Sequence, residues 1–233
     1  MPGETGERVD EGGLFANYFP VDAKRGPGVL LLGGSEGGIG ADVTRRAIDL
    51  RSKGFSVLSP SYFGAPGQLA SLSKGAEAAL LVAVRHPELR AVVAGAPSSV
   101  VWDGIDWSNP INPDSSWTSE GMPLVSLAYG LFRPWNHIGR VYEDGLKNLD
   151  QHRDSEIQIE RLIVPVLVCG EADTLWPSCR MSRRLRSRAA EEGGPRVRIL
   201  AYERARTAGH LSSTSCEREP APRKLRPCCS SAS

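Results

Sequence analysis

The sequence predicts an α/β fold in which a mostly parallel β-sheet carries helices on both faces. Two observations support this fold class: short apolar runs recur along the chain, and segments with helical periodicity lie between them. Strands that alternate with helices favour a parallel sheet with right-handed crossovers. A chain of 233 residues has room for one domain with a substantial core, and we expect a single domain over residues 13–210.

The first part of this domain contains one β-α-β unit. Residues 13–20, GLFANYFP, alternate and predict a strand, and GVLLL at 28–32 predicts a strand that is buried on both faces. Asp42 is placed to cap a helix that ends at Gly54. The strand FSVLS at 55–59 completes the unit.

The same alternation continues after this unit. Small and aliphatic residues at helical spacing over 76–84 predict a helix that packs closely on a sheet and ends at His86-Pro87. RAVVAG at 90–95 predicts a second buried strand. A strand, a helix and a final strand follow, and they are predicted at VPVLVCG 164–170, from Ser178 to Gly193-Gly194, and at VRILAY 197–202.

Three segments depart from this pattern. Residues 97–160 are rich in Pro, Ser, Asn and Trp and have weak periodicity, so we expect a lid-like excursion from the sheet. Residues 1–12 and the polar tail 211–233 have little apolar content, and we expect both termini to be disordered.

Composition and charge narrow the classes of function. A net charge of +1 gives no reason to expect nucleic acid as a partner, and no run reaches the roughly 18 apolar residues that a membrane span requires. The N-terminus is polar and acidic, unlike a secretory signal, so an intracellular location is expected, cytoplasmic by default, with peroxisomal and mitochondrial locations left open. The five cysteines lack metal-ligand spacing and an evident pairing. We therefore expect free thiols, and no metal or other cofactor.

Two polar residues at predicted strand ends indicate nucleophilic catalysis. Asp173 follows the strand at 164–170 and His210 follows the strand at 197–202, so both are expected at one edge of the sheet. A serine nucleophile needs a histidine base that a carboxylate orients, and α/β-hydrolases carry these groups in the order serine, acid, histidine. We predict that Asp173 is the acid and His210 the base. The alternatives are that Asp173 is an ordinary turn residue and that His210 is an ordinary loop histidine.

Two serines compete for the role of nucleophile. Ser35 in GGSEGG follows too few strands to lie in mid-sheet, and its glycine-rich loop suits the binding of an oxyanion. Ser73 in SLSKGAE immediately precedes a helix with small residues, although a simple helix cap would also explain it. We expect Ser73 to be the nucleophile. The expected oxyanion hole consists of backbone N–H groups from Gly34, Ser35, Glu36 and Lys74.

These motifs together resemble the C-terminal domain of the acyl-CoA thioester hydrolase and bile acid-CoA:amino acid N-acyltransferase family, an α/β-hydrolase group related to dienelactone hydrolases. The matching stretches are LLLGGSEGG, GFSVLSPSYFGAPG, SLSKGAEAALLVA, HPELRAVVAGAPSSVVW, SSWTSEGMPL, VPVLVCGEADTLWPS and AGH. The resemblance implies an α/β-hydrolase fold, a triad of Ser73, Asp173 and His210, and release of an acyl group from coenzyme A or a similar ester. Serine at the nucleophile position makes the chain resemble the hydrolase branch of the family, because the resemblance implies cysteine at this position in the amino-acid transferases.

One connection is shorter than this fold requires. About twelve residues separate FSVLS from SLSKG, whereas a parallel crossover alone needs a dozen or more. We therefore expect the domain to lack one crossover helix and strand before Ser73. The expected function is hydrolysis of acyl-CoA thioesters or related carboxylic esters; a catalytically impaired pseudoenzyme or acyl-ligand-binding protein, and an acyl-CoA:amino acid N-acyltransferase, are the alternatives.

Two groups of side chains could contact such a substrate. Trp102 and Trp176 are candidates for lining an acyl pocket. For Trp102, which belongs to the excursion, the alternative is packing onto the sheet. A basic helix could attract the phosphates of coenzyme A, although a solvated face is the preferred interpretation. Its arginines are Arg180, Arg183, Arg184, Arg186 and Arg188.

Overall fold

The computed structural model describes residues 6–12, 14–21, 26–34, 38–61, 74–104, 114–133, 135 and 137–205. The elements before residue 62 are β1 (Glu7–Glu11), β2 (Leu14–Phe19), β3 (Gly28–Leu30), α1 (Ala41–Ser52) and β4 (Ser56–Ser61). The elements after residue 73 are α2 (Lys74–Arg85), β5 (Val92–Gly95), β6 (Thr118–Ser119), β7 (Met122–Pro123), α3 (Ile138–Gly145), β8 (Pro165–Gly170), α4 (Ser178–Glu191) and β9 (Arg198–Tyr202). The predicted alternation of strands and helices is confirmed.

The first sheet is mixed and has the strand order β1-β2-β4-β3. β1 and β2 pair antiparallel, as do β2 and β4, whereas β3 and β4 are parallel with Val29 opposite Val57. Helix α1 packs on this sheet, because Ala47 of the helix shares a buried cluster with Phe19 and Val57 of the strands. This part of the chain is therefore a small β-α-β unit extended by an antiparallel hairpin.

The predicted disorder of residues 1–12 is wrong for Glu7–Glu11, which form β1. The strand pairs with β2 along its whole length, with Glu11 opposite Leu14. Gly12 in the connecting turn has a φ of +59°, a conformation that glycine adopts without steric cost. The Gly-Gly pair at 12–13 is a recognised hairpin signal, so the sequence did contain the cue for this strand.

Two further predictions for the first sheet are corrected. Asp42 does not cap α1: the N-cap residue is Gly40, no side chain caps the helix, and Asp42 instead pairs with Arg45 at 2.8 Å. The apolar run at 28–32 contains only the three-residue strand β3, which lies at the end of the described sheet and leaves Leu30 41% exposed. An apolar run therefore did not guarantee burial on both faces.

The second sheet is parallel and has the order β5-β8-β9, with Val93 opposite Val166. Helices α2 and α4 pack on the same face of this sheet, where Leu80 of α2 and Leu185 of α4 share one buried cluster with Leu167 of β8. On the other face Val93 is 66% exposed, so the prediction that β5 is buried on both faces is wrong. Val93 is exposed because α2 and α4 both pack on the opposite face of the sheet.

The described strands form two larger sheets rather than one, with β3 at the edge of the first and β5 at the edge of the second, and β6 and β7 form a separate two-stranded antiparallel sheet. No described strand pairs with both β3 and β5. The predicted loss of a crossover helix and strand concerns residues 62–73, which lie outside the described residues. The α/β class holds for both parts, because α1 packs on the first sheet and α2 and α4 pack on the second.

The 97–160 excursion supplies most of an aromatic cluster that it shares with the loop after β8 and with α4. The Trp102 ring stacks on Tyr129 at 5.4 Å between centroids, and Tyr142 meets Trp176 edge-on at 4.4 Å. This aromatic cluster also contains Met181 of α4, so the excursion packs against the body of the second sheet. None of the described helices combines the length and the apolar character needed to span a membrane.

Candidate active site

Asp173 lies in the loop that leaves the carboxyl end of β8, at the position the sequence predicts. Its Oδ1 accepts hydrogen bonds from the N–H groups of Leu175 at 3.1 Å and Trp176 at 3.2 Å. A carboxylate that accepts the N–H two residues further on forms an Asx turn, which is the interaction expected of a turn residue. The turn fixes the carboxylate at the sheet edge, so this structural role also suits an acid that must be held in place.

The loop around Asp173, residues 170–178, is also held from outside. The N–H of Gly139, in the first turn of α3, donates to the Thr174 carbonyl at 3.1 Å. The indole Nε1–H of Trp176 donates to the Pro97 carbonyl at 3.1 Å. Both partners belong to the 97–160 excursion, which therefore sets the position of this acid loop.

A disulfide between Cys169 and Cys179 closes the base of the acid loop. The expectation of free thiols is wrong for these two residues. Cys169 lies at the end of β8 and Cys179 in the first turn of α4, and their Cα atoms are 5.0 Å apart. A strand that leads into a short loop and a helix brings its two flanking positions together, so the cysteines on either side of GEADTLWPS carried a signal for pairing.

On the nucleophile side, α2 begins at Lys74, the residue directly after Ser73. The first N–H groups of a helix have no partner within the helix, and the helix dipole favours negative charge near them. Gly34 belongs to the part of the chain that carries the first sheet, and Lys74 and Asp173 to the part that carries the second. The other predicted site residues, Ser35, Glu36, Ser73 and His210, lie outside the described residues.

The first turn of α2 holds a buried ion pair that the sequence reasoning missed. Lys74 is 2% exposed and Glu77 0%, and the Lys74 ammonium lies 3.3 and 3.2 Å from the two carboxylate oxygens of Glu77. Oε1 of Glu77 also accepts the backbone N–H of Trp102 at 3.2 Å and the indole N–H of Trp117 at 2.8 Å. The available signal was a glutamate among the small and aliphatic residues of a predicted packing face.

Burial sets the protonation tendencies of this pair. Loss of solvent lowers the pKa of Lys74 and raises the pKa of Glu77, because each charged form gives up its hydration. The four donor contacts to the Glu77 carboxylate act in the opposite direction, since they stabilise its charged form. The pair therefore depends on complete hydrogen bonding inside the protein.

Trp102 and Trp176, the candidates for an acyl pocket, are fully buried in the aromatic cluster of the excursion. Their rings lie 6.4 Å apart and meet edge-on. Among the described residues no acceptor is found for the buried Nε1–H of Trp102. Desolvation raises the pKa of the neighbouring Tyr142 to about 12, which reflects how thoroughly this cluster excludes water. Packing accounts for both tryptophans.

The solvated face preferred for the basic helix α4 holds for Arg180, Arg183 and Arg186, which are exposed, whereas Arg184 and Arg188 are half-buried. Three of its five arginines are ion-paired within the chain: Arg183 with Glu171, Arg184 with Glu156, and Arg188 with Glu156 and Glu160. These pairs join α4 to the acid loop and to the excursion. Within the described ranges no group of three or more His, Cys, Asp and Glu side chains could hold a metal ion.

Comparison with known proteins identifies both family and fold. The family model described as BAAT / acyl-CoA thioester hydrolase C terminal matches residues 59–215, which are 157 of the 233 residues. No curated protein sequence matches the chain significantly.

Among solved structures, the acylaminoacyl peptidase of Pyrococcus horikoshii is similar at a TM-score of 0.53 and 12% identity, over 87% of this chain and 36% of that chain. This chain therefore spans little more than a third of the length of the peptidase. A candidate dienelactone hydrolase from Klebsiella pneumoniae is similar at a TM-score of 0.52 and 14% identity, over 84% of this chain and 82% of that chain. With an α/β-hydrolase fold and a family match across most of its length, the chain belongs to the BAAT / acyl-CoA thioester hydrolase C-terminal family.

Proposed function

We propose that this protein is a serine hydrolase that cleaves acyl-CoA thioesters, or related carboxylic esters, with Ser73 as nucleophile, His210 as base and Asp173 as acid. The match to the family spans all three residues. The observation that carries the proposal is the position of Asp173 at the carboxyl end of β8, in a turn held by its own N–H bonds and by Gly139. An α/β-hydrolase acid occupies such a loop.

The proposed reaction needs only these side chains and water. His210 takes the proton of the Ser73 hydroxyl while the Ser73 oxygen attacks the thioester carbonyl carbon. The carbonyl π electrons move to the carbonyl oxygen, which becomes the oxyanion. When the tetrahedral intermediate collapses, the carbon–sulfur bond breaks and the coenzyme A thiolate receives the proton from His210. Water then gives a proton to His210 and attacks the acyl-serine ester, which releases the free acid and restores the serine hydroxyl.

The oxyanion would be stabilised at the start of α2. The Lys74 N–H is among those that a helix leaves unpaired in its first turn, and it follows the nucleophile directly. Further N–H groups would come from the loop that contains Gly34. Each such donor contributes roughly 100-fold or more to the rate in a site that excludes water.

One observation favours a non-catalytic protein as the second candidate. The described strands form two separate larger sheets, and within the described residues β3 and β5 each have a neighbouring strand on one side only. Unpaired sheet edges are sites of association with other chains. A protein of this kind would keep the family's fold elements without a working triad.

Covalent labelling distinguishes the two candidates. The full chain is treated with a serine-directed fluorophosphonate and its peptides are mapped by mass spectrometry, with Ser73→Ala and Ser35→Ala as paired variants. We expect label on Ser73 in the wild type and in Ser35→Ala, and none in Ser73→Ala. Label on Ser35 instead would overturn the choice of nucleophile, and a wild type without label would favour the non-catalytic candidate.

A second variant separates the acid role of Asp173 from its turn role. Asp173→Asn keeps an oxygen that can accept the Leu175 and Trp176 N–H groups but loses the negative charge. We expect an unchanged melting temperature and a fall in kcat of roughly 1,000-fold or more, measured as thiol release from acyl-CoAs of several chain lengths. Unchanged kcat would restrict Asp173 to its turn.

A further inference from the structure

We propose that Glu77 is a positioning residue that fixes the spacing between helix α2, which begins directly after Ser73, and the turn that holds Asp173. The effect of this role on catalysis rests on the proposed function. The contacts of Glu77 that support this role are all with described residues and do not depend on that function. The reaction steps proposed above leave the Glu77 side chain without a role, although it is fully buried in the first turn of α2.

Glu77 joins α2 to two separate parts of the excursion. One of its carboxylate oxygens accepts from the backbone of Trp102 and from the indole of Trp117, residues that lie 25 and 40 positions away in the chain. The Lys74 ammonium completes the set of donors at 3.2–3.3 Å. A buried carboxylate is costly unless its hydrogen bonds are made, so displacement of the excursion would break two of the hydrogen bonds to Glu77 and leave only the Lys74 contacts.

Contacts continue from the Glu77 partners to the acid turn. The Trp102 ring meets Trp176 edge-on at 6.4 Å and Tyr142 at 5.4 Å between centroids, and Tyr142 in turn packs on Trp176 at 4.4 Å. The Trp176 N–H is one of the two that bind the Asp173 carboxylate. An unbroken series of packed groups therefore runs from Glu77 to Asp173.

Within the excursion, the segment that contains Trp102 is hydrogen-bonded to residues further along the chain. The Asp103 carbonyl accepts the Tyr129 hydroxyl at 2.7 Å, and the Asp103 carboxylate accepts the Ser126 hydroxyl at 2.5 Å. The part of the excursion that contacts α2 is thus held by its own hydrogen bonds, and the Gly139 N–H of the excursion donates to Thr174 in the acid loop. Displacement at Glu77 would be transmitted to Asp173 rather than absorbed locally.

The test compares Glu77→Gln with Glu88→Gln in the full chain. Gln preserves the shape of Glu77 while it removes the charge that pairs with Lys74, and Glu88 is an exposed glutamate beyond the other end of α2 whose partner is the exposed His86. The first measurement is hydrogen exchange at the Trp102, Leu175 and Trp176 amides. We expect exchange about 10-fold faster at all three in Glu77→Gln, unchanged exchange in β8, and no change in Glu88→Gln.

The second measurement is the separation of kcat from KM. Misplacement of the acid lowers kcat by about 10- to 100-fold in Glu77→Gln and leaves KM nearly unchanged, because substrate-binding groups stay in position. A loss of stability alone would reduce the active fraction without accelerating exchange selectively at Leu175 and Trp176. Faster exchange confined to Trp102, with the acid turn unaffected, would overturn the proposal.

Trp117→Phe provides a milder variant that keeps the ion pair and removes only one donor to Glu77. We expect the same three amides to exchange faster, by a smaller factor. If Glu77→Gln fails to fold, Trp117→Phe tests the proposal alone. Unchanged exchange at Leu175 and Trp176 in this variant would refute the coupling between Glu77 and the Asp173 turn. The exchange measurement does not require turnover, so absence of fluorophosphonate label on the wild type would refute the proposed function and leave this test of Glu77 standing.

Discussion

At the scale of single residues, the acid loop depends on small groups that approach one another closely. Gly139 is the clearest case, because a Cβ atom at this position would lie 2.3 Å from the Thr174 carbonyl oxygen. Only glycine lets the first turn of α3 come near enough for the N–H of Gly139 to reach that oxygen. The position of Asp173, one residue before Thr174, thus relies on the absence of a side chain in the excursion.

Gly139→Ala should therefore lower both stability and activity. Alanine in a helix is favoured over glycine by about 1 kcal/mol, whereas overpacking costs about 1–3 kcal/mol and the lost hydrogen bond about 1 kcal/mol. We expect a net loss of about 1–3 kcal/mol in the free energy of unfolding and a fall in kcat of roughly 10-fold or more. Urea unfolding and thiol release measure the two effects.

Gly95→Ala is the control for this substitution, because a Cβ atom at Gly95 would meet nothing within 4 Å. It should change neither the free energy of unfolding nor kcat appreciably. If Gly139→Ala were equally silent, the close contact with Thr174 would not position the acid loop.

At the scale of elements, the loop between β8 and α4 is fastened at its base and along its length. The disulfide joins the last part of β8 to the first turn of α4, and Arg183 of α4 forms a two-pronged ion pair with Glu171 at 2.7 and 3.3 Å. Arg188, three turns into the same helix, pairs with Glu156 and Glu160 of the excursion. α4 is therefore the element to which both the acid loop and the excursion are attached.

Reduction of the disulfide between Cys169 and Cys179 should destabilise the protein by about 2–3 kcal/mol, since the bond closes a loop of ten residues' separation. The measurement is the urea midpoint with and without dithiothreitol. Cys179→Ala should show a similar loss, and the reductant should have no further effect on this variant. A wild type whose midpoint is insensitive to reductant would show that the two thiols are not joined in solution.

Arg188→Lys should cost about 1–2 kcal/mol, because lysine keeps the charge but cannot bind Glu160 through two parallel N–H groups. Burial raises the pKa of Glu160, but hydrogen bonds and charge from Arg188 lower it overall below its usual 4.5. A carboxyl with a lowered folded-state pKa contributes stability above 4.5 and loses the contribution as pH falls through the folded-state value.

The difference between Arg188→Lys and wild type should accordingly be full at pH 7 and shrink as the pH falls below 4.5. Arg186→Lys is the matched control, because Arg186 is an exposed arginine of the same helix. Its unfolding free energy should stay within about 0.5 kcal/mol of wild type. A constant difference between pH 7 and pH 3 would contradict the assigned ion pair.

Elements were predictable where the information is local. Helices α2 and α4 and strands β2, β4, β8 and β9 follow from apolar spacing and from glycine or proline at their ends, and the position of Asp173 follows from the end of β8. Exposure was not predictable at Leu30 and Val93, because it depends on which elements cover a strand. Glu77 was missed for the same reason: its partners lie 25 and 40 residues away, beyond any periodicity.

At the scale of the whole molecule, the two larger sheets of the described residues have separate buried cores of unequal size. Among the residues that the structure describes, the first core consists of Phe19, Ala47 and Val57, with partly buried neighbours. The second sheet lies under a cluster of twelve buried residues, and the excursion supplies most of a further aromatic cluster. Stability follows buried apolar area, so the first sheet is expected to be the weaker part of the molecule.

Unfolding in urea should therefore depart from a single transition. All five tryptophans of the chain lie beyond residue 100, so indole fluorescence reports on the part of the chain that carries the second sheet. Far-ultraviolet circular dichroism reports on the parts that carry the first and the second sheet. We expect the dichroism transition to begin at lower urea than the fluorescence transition, since a protein with one cooperative unit would give coincident curves. Val57→Ala should shift only the early dichroism change, by about 1–3 kcal/mol, and Leu167→Ala should shift the fluorescence transition by about 2–5 kcal/mol. Both side chains are fully buried, one in each sheet, so a shift of both transitions by either substitution would show that the two sheets fold as one unit.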